Sequence, residues 1–132
     1  MPQVSLLATI VGALAGFALG GIWYGPLFGK AWMAEQGFTE AELTKDFNPA
    51  KAYGLMLVLA LLASYVFGAF LGPDVTPVFG ASAGAAAGLF WVSGSIATNY
   101  VFERSSLRLW LINGGYHTVR FALIGLAFGL LG

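Results

Sequence analysis

The chain has no cysteine, so it can form no disulfide, thiolate nucleophile, Cys-ligated zinc site or iron–sulfur cluster. Charge is nearly as scarce. Asp, Glu, Lys and Arg make up 9% of the 132 residues, against roughly 25% in soluble domains, which excludes an ordinary water-soluble domain. Six Lys+Arg against six Asp+Glu leave no net charge, so no basic field exists to hold a nucleic-acid backbone and nucleic acid is not an expected partner. One histidine, with no carboxylate inside any long apolar run, supplies no ligand set for zinc or a di-iron centre. No metal and no cofactor are expected. Phosphate loops, dinucleotide fingerprints, G-x-S-x-G elbows and H-E-x-x-H motifs are missing as well, and the chain is not expected to be an enzyme.

Apolar residues and glycine are what the chain has in abundance. Apolar residues make up 58% of the sequence and glycine occurs 19 times, about twice its usual share. A spanning helix needs about 20 apolar residues to cross ~30 Å of hydrocarbon. Four runs reach that length: Val4 to about Tyr24, Ala52 to Gly72, Val78 to about Phe102, and Leu107 to Leu131. These runs lack the period-2 alternation of strands, and an open sheet could not satisfy its backbone in lipid. The expected fold is therefore an all-α membrane protein: one domain, residues 1–132, forming a bundle of four transmembrane helices with an interfacial amphipathic helix in the first connection. The N-terminal Met1-Pro2-Gln3-Val4 has no basic residue, and the run that follows exceeds the roughly 7–15 residues of a signal-peptide core, so the first helix is read as retained.

The one sizeable polar segment runs from about Pro26 to Lys51. Pro26 suits a first helical turn, Thr39 with Glu42 fits a capping box, and Asn48-Pro49 can cap and start the second span. Phe28, Trp32 and Met33 recur at helical spacing, which suits an amphipathic helix at headgroup level, with Trp23, Tyr24, Phe28 and Trp32 as interfacial anchors. A loop tucked beneath the bundle is the other reading. Lys30, Lys45, Lys51, Arg104 and Arg108 all fall on one side of this topology, whereas the opposite side carries only Asp74. By the positive-inside rule, both termini are expected on the non-cytoplasmic side of the membrane, with the chain crossing it several times.

Helices in lipid associate through close backbone contact and interhelical hydrogen bonds, which favour small residues four apart. Gly12, Gly16 and Gly20 form such a ladder in the first span and Gly80, Gly84 and Gly88 in the third; Ala60, Ser64, Gly68 and Gly72 mark the second, and Gly125 and Gly129 the fourth. They serve packing within one chain, contact with a second copy, or both. At 100° per residue, Gly80, Gly84, Gly88, Trp91, Ser95, Thr98, Asn99 and Phe102 share one face, and Asn113, Tyr116, His117 and Arg120 form a stripe on the fourth span. An antiparallel hairpin then sets Ser95 near Asn113, and Trp91 near His117 and Arg120 as a cation–π partner. Arg120 falls near the bilayer midplane, where insertion scales assign a cost of about 2.5–3.5 kcal/mol unless it is compensated. With no acidic residue inside a span, its expected partners are Tyr65, backbone carbonyls, water or an anionic ligand. His117 is read as a member of the packing network before a proton relay or haem ligand, and Asn99 and Asn113 as interhelical bridges.

Three segments carry a resemblance: WYGPLFGKAW from Trp23 to Trp32, NYVFE from Asn99 to Glu103, and INGGYH from Ile112 to His117. With them the chain resembles the small bacterial four-helix membrane family catalogued as domain of unknown function seventeen sixty-one, over nearly its whole length. The resemblance implies an integral membrane protein and brings no substrate, reaction or catalytic residue. Two functions stay open. One is a structural or accessory protein surrounded by membrane lipid, paired with itself as a homo-oligomer or with subunits of a larger membrane complex. The other is a small-solute or anion transporter or channel, with Arg120, His117, Asn113, Tyr116, Tyr65, Trp91, Ser95 and Asn99 as its midplane polar site.

Overall fold

The computed structural model describes residues 4–132, and the structural statements that follow concern those residues. Met1 to Gln3, the first three positions of the uncharged N-terminal stretch, lie outside them. Helix α1 (Leu6–Ile22) opens on Ser5, whose hydroxyl accepts from the Ala8 N–H. It runs on into a π-helical turn, Trp23–Leu27. Pro26, expected in a first helical turn, lies inside this one. A proline removes the N–H of an ordinary helical bond and its ring crowds the carbonyl four residues back. The wider turn relieves both, and the Phe28 N–H reaches the Trp23 carbonyl at 2.8 Å.

The first connection holds two short helices. In α2 (Gly29–Gln36), Trp32 and Met33 are half-buried while Lys30, Ala34 and Gln36 face outward. The helix ends at Gly37, whose φ of 75° suits glycine. In α3 (Glu40–Thr44), Thr39 caps by accepting from the Glu42 N–H, and its hydroxyl donates to the Glu42 carboxylate at 3.0 Å. Asn48 caps α4 (Pro49–Leu71), with Pro49 in the first turn. Gly72 ends it at φ 76° and ψ −173°, a region essentially closed to other residues. Thr76 caps α5 (Pro77–Ala86), which passes through a second π-helical segment, Ala87–Ser93, into α6 (Gly94–Glu103). After a left-handed Arg104, Ser106 caps α7 (Leu107–Leu131).

Four helices are thus long and apolar enough to cross a membrane: Leu6–Leu27, Pro49–Leu71, Pro77–Glu103 and Leu107–Leu131, of 22, 23, 27 and 25 residues. The protein is a four-helix transmembrane bundle without strands among the described residues. The first span ends three residues later than the sequence suggests because the π-helical turn continues it. The second begins three residues earlier, at Pro49.

Helix α7 is central, flanked by α1 on one side and by α5 with its π-helical segment on the other; α4 lies against α1 and meets α7 along a smaller edge. Ser5 Oγ lies 3.5 Å from the Leu131 carbonyl, so both ends of the described chain sit at one end of the bundle. Glycine makes the central contacts possible. A Cβ on Gly80 would strike the Gly125 carbonyl, one on Gly84 the Phe121 carbonyl, and one on Gly88 the His117 carbonyl and Thr118 Cα. On the other flank, Gly12 faces Ile124, Gly16 faces the Arg120 stem and Gly20 faces the Tyr116 ring. Both ladders are therefore used within one chain. Ala8, Phe67, Ala87, Ile124 and Phe128 form the core between them, with Phe67 edge-on to Phe121 at 5.6 Å. Outward faces such as Leu55, Val58, Leu62 and Phe70 of α4 are exposed, as suits contact with lipid.

Gly54 of α4 has open space where a Cβ would go, which separates packing from helix propensity. Gly84→Ala is expected to lower stability in detergent by about 1–3 kcal/mol through overpacking, while Gly54→Ala is neutral or stabilising. Unfolding curves of the two variants check this, and equal stability would contradict backbone contact at Gly84.

Candidate functional site

The two π-helical turns aim polar side chains at the same stretch of α7. From the first, Trp23 Nε1 donates to the Ile112 carbonyl at 2.8 Å, its indole lying over Gly115 where a side chain would collide. Tyr24 OH donates to Asn113 Oδ1 at 2.6 Å, and Asn113 Nδ2 donates to the Tyr100 hydroxyl of α6 at 2.6 Å. Tyr116 OH donates to the Gly16 carbonyl at 3.0 Å. The Tyr24 ring meets Tyr116 edge-on at 5.4 Å and Trp32 at 6.1 Å, while Phe28 packs on Trp23 at 4.8 Å. Trp23 and Tyr24 are accordingly not lipid-facing anchors: the π-helical turn swings both into the bundle. Phe28 and Trp32 pack on them. Asn113 is a bridge, but to Tyr24 and Tyr100.

The second π-helical segment changes which residues of the third span face α7. Straight helical spacing from Gly88 selects Trp91 and Ser95. An inserted residue widens the turn, so the inward series becomes Gly88, Ser93, Ala97 and Tyr100. Ser93 is fully buried; its hydroxyl donates to the Gly114 carbonyl at 2.8 Å and lies 3.5 Å from Thr118 Oγ1, and its own carbonyl accepts from Trp110 Nε1 at 2.8 Å. Trp91, expected beside Arg120, is 67% exposed. Ser95 turns outward and donates to the Trp91 carbonyl of its own helix. Asn99, Thr98 and Phe102 face outward too. Ser93 and Tyr100 are the residues that straight helical spacing misses, whereas Trp110, three residues before Asn113 on the regular α7, falls on the stripe that this spacing marks.

Arg120 lies one residue past the centre of the 25-residue α7. Its Cγ, Cδ and Nε lie across Gly16, and its Cζ is 5.0 Å from the Phe121 ring centroid, not on Trp91. Tyr65 is 42% exposed on the outer face of α4 and does not reach it. Arg120 has no hydrogen-bond or ion-pair partner among the described residues. His117 stacks obliquely on Tyr116 at 5.1 Å, and its buried Nδ1 has no partner either. Of the eight residues placed together by sequence, Arg120, Tyr116 and Asn113 meet the first span from α7 with His117 beside Tyr116, whereas Tyr65, Trp91, Ser95 and Asn99 point away. The path that Tyr65 and Trp91 were to line is therefore not assembled. Two shallow clefts, one by Tyr65, Val66, Ala69 and Phe70 and one by Asp46, Phe47, Asn48, Lys51, Ala52 and Leu55, lie on or beside α4. No group of three or more His, Cys, Asp or Glu able to hold a metal occurs among the described residues.

Chemically the site divides in two. Around Asn113 the side chains of three helices bond one another, so the arrangement fixes helix positions; at Arg120 and His117 Nδ1 the hydrogen-bonding capacity is unspent. Interhelical hydrogen bonds in membranes average about 0.6 kcal/mol and reach about 1.7. Asn113→Leu and Ser93→Ala are each expected to destabilise the bundle by about that range, and Asn99→Leu and Ser95→Ala to be neutral. Unfolding in mixed detergent distinguishes the pairs, and the reverse order would contradict the register described.

Trp23, Tyr24, Tyr100, Asn113, Tyr116 and His117, drawn from all three segments that carry the resemblance, meet or adjoin in this one network. No curated protein and no solved structure matches the chain. The family model described as "Protein of unknown function (DUF1761)" matches residues 7–129, and the chain belongs to that family.

Proposed function

We propose that this protein is a non-enzymatic structural or accessory component of the bacterial cytoplasmic (inner) membrane, acting as a homo-oligomer or docked on subunits of a larger membrane complex. The observation that carries the reading is the use of the polar side chains. Tyr24, Tyr100 and Asn113 bond one another, and Trp23, Tyr116 and Ser93 bond backbone carbonyls of neighbouring spans, so these groups serve helix register. The glycine ladders are engaged inside the chain, which leaves the broad apolar outer faces of α4 and of the third span for lipid or for neighbouring helices. The five basic residues of the connections stand at the end of the bundle opposite Ser5 and Leu131, and by the positive-inside rule that end is cytoplasmic.

Native mass spectrometry after extraction in a mild detergent tests the assembly. The expected result is a mass above that of the monomer, from further copies or from other subunits; a monomer carrying only lipid would contradict the proposal. Because the chain has no cysteine, single Cys substitutions report sidedness cleanly. In intact cells an impermeant maleimide should label Pro73→Cys and spare Ser105→Cys, and the opposite pattern would reverse the orientation.

A further inference from the structure

Helix α7 carries two groups, one helical turn apart, whose hydrogen bonding is unspent. The Arg120 guanidinium has no acceptor among the described residues, and His117 Nδ1 is buried without a partner. Nothing around them carries a negative charge: Gly16 lies under the Arg120 stem, the Phe121 ring lies 5.0 Å from Cζ, and the Tyr116 hydroxyl donates to the Gly16 carbonyl. The acidic residues nearest to any span interior are Glu103, which closes α6, and Asp74, between α4 and α5. The chain therefore offers this cation no counter-charge.

Snorkelling does not supply one. Arg120 is roughly 17 to 20 Å from either end of α7 at ~1.5 Å per residue, and an extended arginine side chain falls well short of that. Its stem, moreover, lies across Gly16 on the neighbouring helix. A counter-charge has to come from outside the chain.

We propose that Arg120 and His117 form a binding site for one monovalent anion with a compact head, a halide or a carboxylate. Positions i and i+3 on a helix place their Cβ atoms about 5–6 Å apart, so both side chains can address one small acceptor. The guanidinium presents its planar fork of donors, and the imidazole donates from Nδ1 in that tautomer. Charge selects the ligand: one negative charge neutralises one guanidinium, whereas sulfate or phosphate as a dianion would leave a net charge buried in hydrocarbon at high cost. The same low dielectric strengthens each bond the anion does make. The anion can arrive from water, as chloride or formate, or from the bilayer, as the carboxylate of a fatty acid. The inference concerns binding alone and does not depend on the accessory role.

The test is isothermal titration of the purified full chain in uncharged detergent, with chloride, formate, oleate and sulfate in separate arms at constant ionic strength. The expected result is saturable uptake of one anion per chain from the chloride and formate arms or from the oleate arm, the responding arm naming the source, with no saturable uptake of sulfate. Arg120→Gln should weaken that binding by about tenfold or more, as loss of a hydrogen bond to a charged group implies. Arg120→Lys should retain part of it, His117→Ala should weaken it, and Ser95→Ala should leave it unchanged. If Arg120→Gln fails to fold, stoichiometry and discrimination against sulfate in the unmodified protein decide. Failure of chloride, formate and oleate all to bind, sulfate binding as tightly as they do, or binding that survives Arg120→Gln would each overturn the proposal.

Discussion

A helix in lipid gains nothing by hiding apolar surface against another helix, because the tails are as apolar as leucine. Association has to come from backbones brought close enough for dispersion and from hydrogen bonds made across the gap. In this protein the first requirement is met at α7, where Gly80, Gly84 and Gly88 lie against the backbone from His117 to Gly125 with no room for a side chain. The rest of the bundle follows from that contact. With α5 pressed onto one side of α7, α1 takes the other through Gly12, Gly16 and Gly20, and α4 completes the bundle against α1, meeting α7 along a smaller edge.

Close contact over the membrane-buried part of α7 creates a difficulty at the end of the bundle where the basic residues lie. Large side chains there must also reach across to α7, and straight helices would point the wrong ones inward. Each of the two glycine-rich helices widens by a residue before that end, at Trp23–Leu27 and at Ala87–Ser93. The wide turns present Trp23, Tyr24, Ser93 and Tyr100 to Ile112, Asn113 and Gly114. Short hydrogen bonds then hold α1, α6 and α7 at a fixed rotation, which suits a protein whose outer surface has to meet lipid or other subunits in a constant shape. Arg120 and His117 lie just beyond this network toward the membrane centre. On α7 they are where the polar chemistry is left open.

Much of this architecture is legible in the residues themselves. Run length and charge place four spans, the small-residue spacing marks the helix contacts, and Thr39, Asn48 and their partners announce the starts of α3 and α4. Pro26 is also a clear signal, but an ambiguous one: proline suits a first helical turn as well as it suits a distorted last one, and only the contact of Trp23 and Tyr24 with α7 decides. Nothing in Ala87-Gly88-Leu89-Phe90-Trp91-Val92-Ser93 marks a wide turn. Every residue there is compatible with an ordinary helix, so a constant 100° step carries Trp91 and Ser95 inward and Ser93 and Tyr100 out of account. Tyr65 misleads for a different reason. A polar aromatic deep in an apolar span looks inward-facing from composition, yet α4 turns its Ala60, Ser64 and Gly68 face to its neighbours and leaves Tyr65 on the outer surface.

The register of the third span on α7 is therefore the claim on which the site depends, and disulfide trapping tests it most directly in a chain that has no cysteine of its own. Ser93 and Thr118 hold their hydroxyl oxygens 3.5 Å apart across the contact, whereas Ser95 faces outward. Mild oxidation in membranes should join the Ser93→Cys/Thr118→Cys pair rapidly and leave Ser95→Cys/Thr118→Cys reduced. Rapid joining of the second pair with none of the first would restore a straight helix and dissolve the network described here.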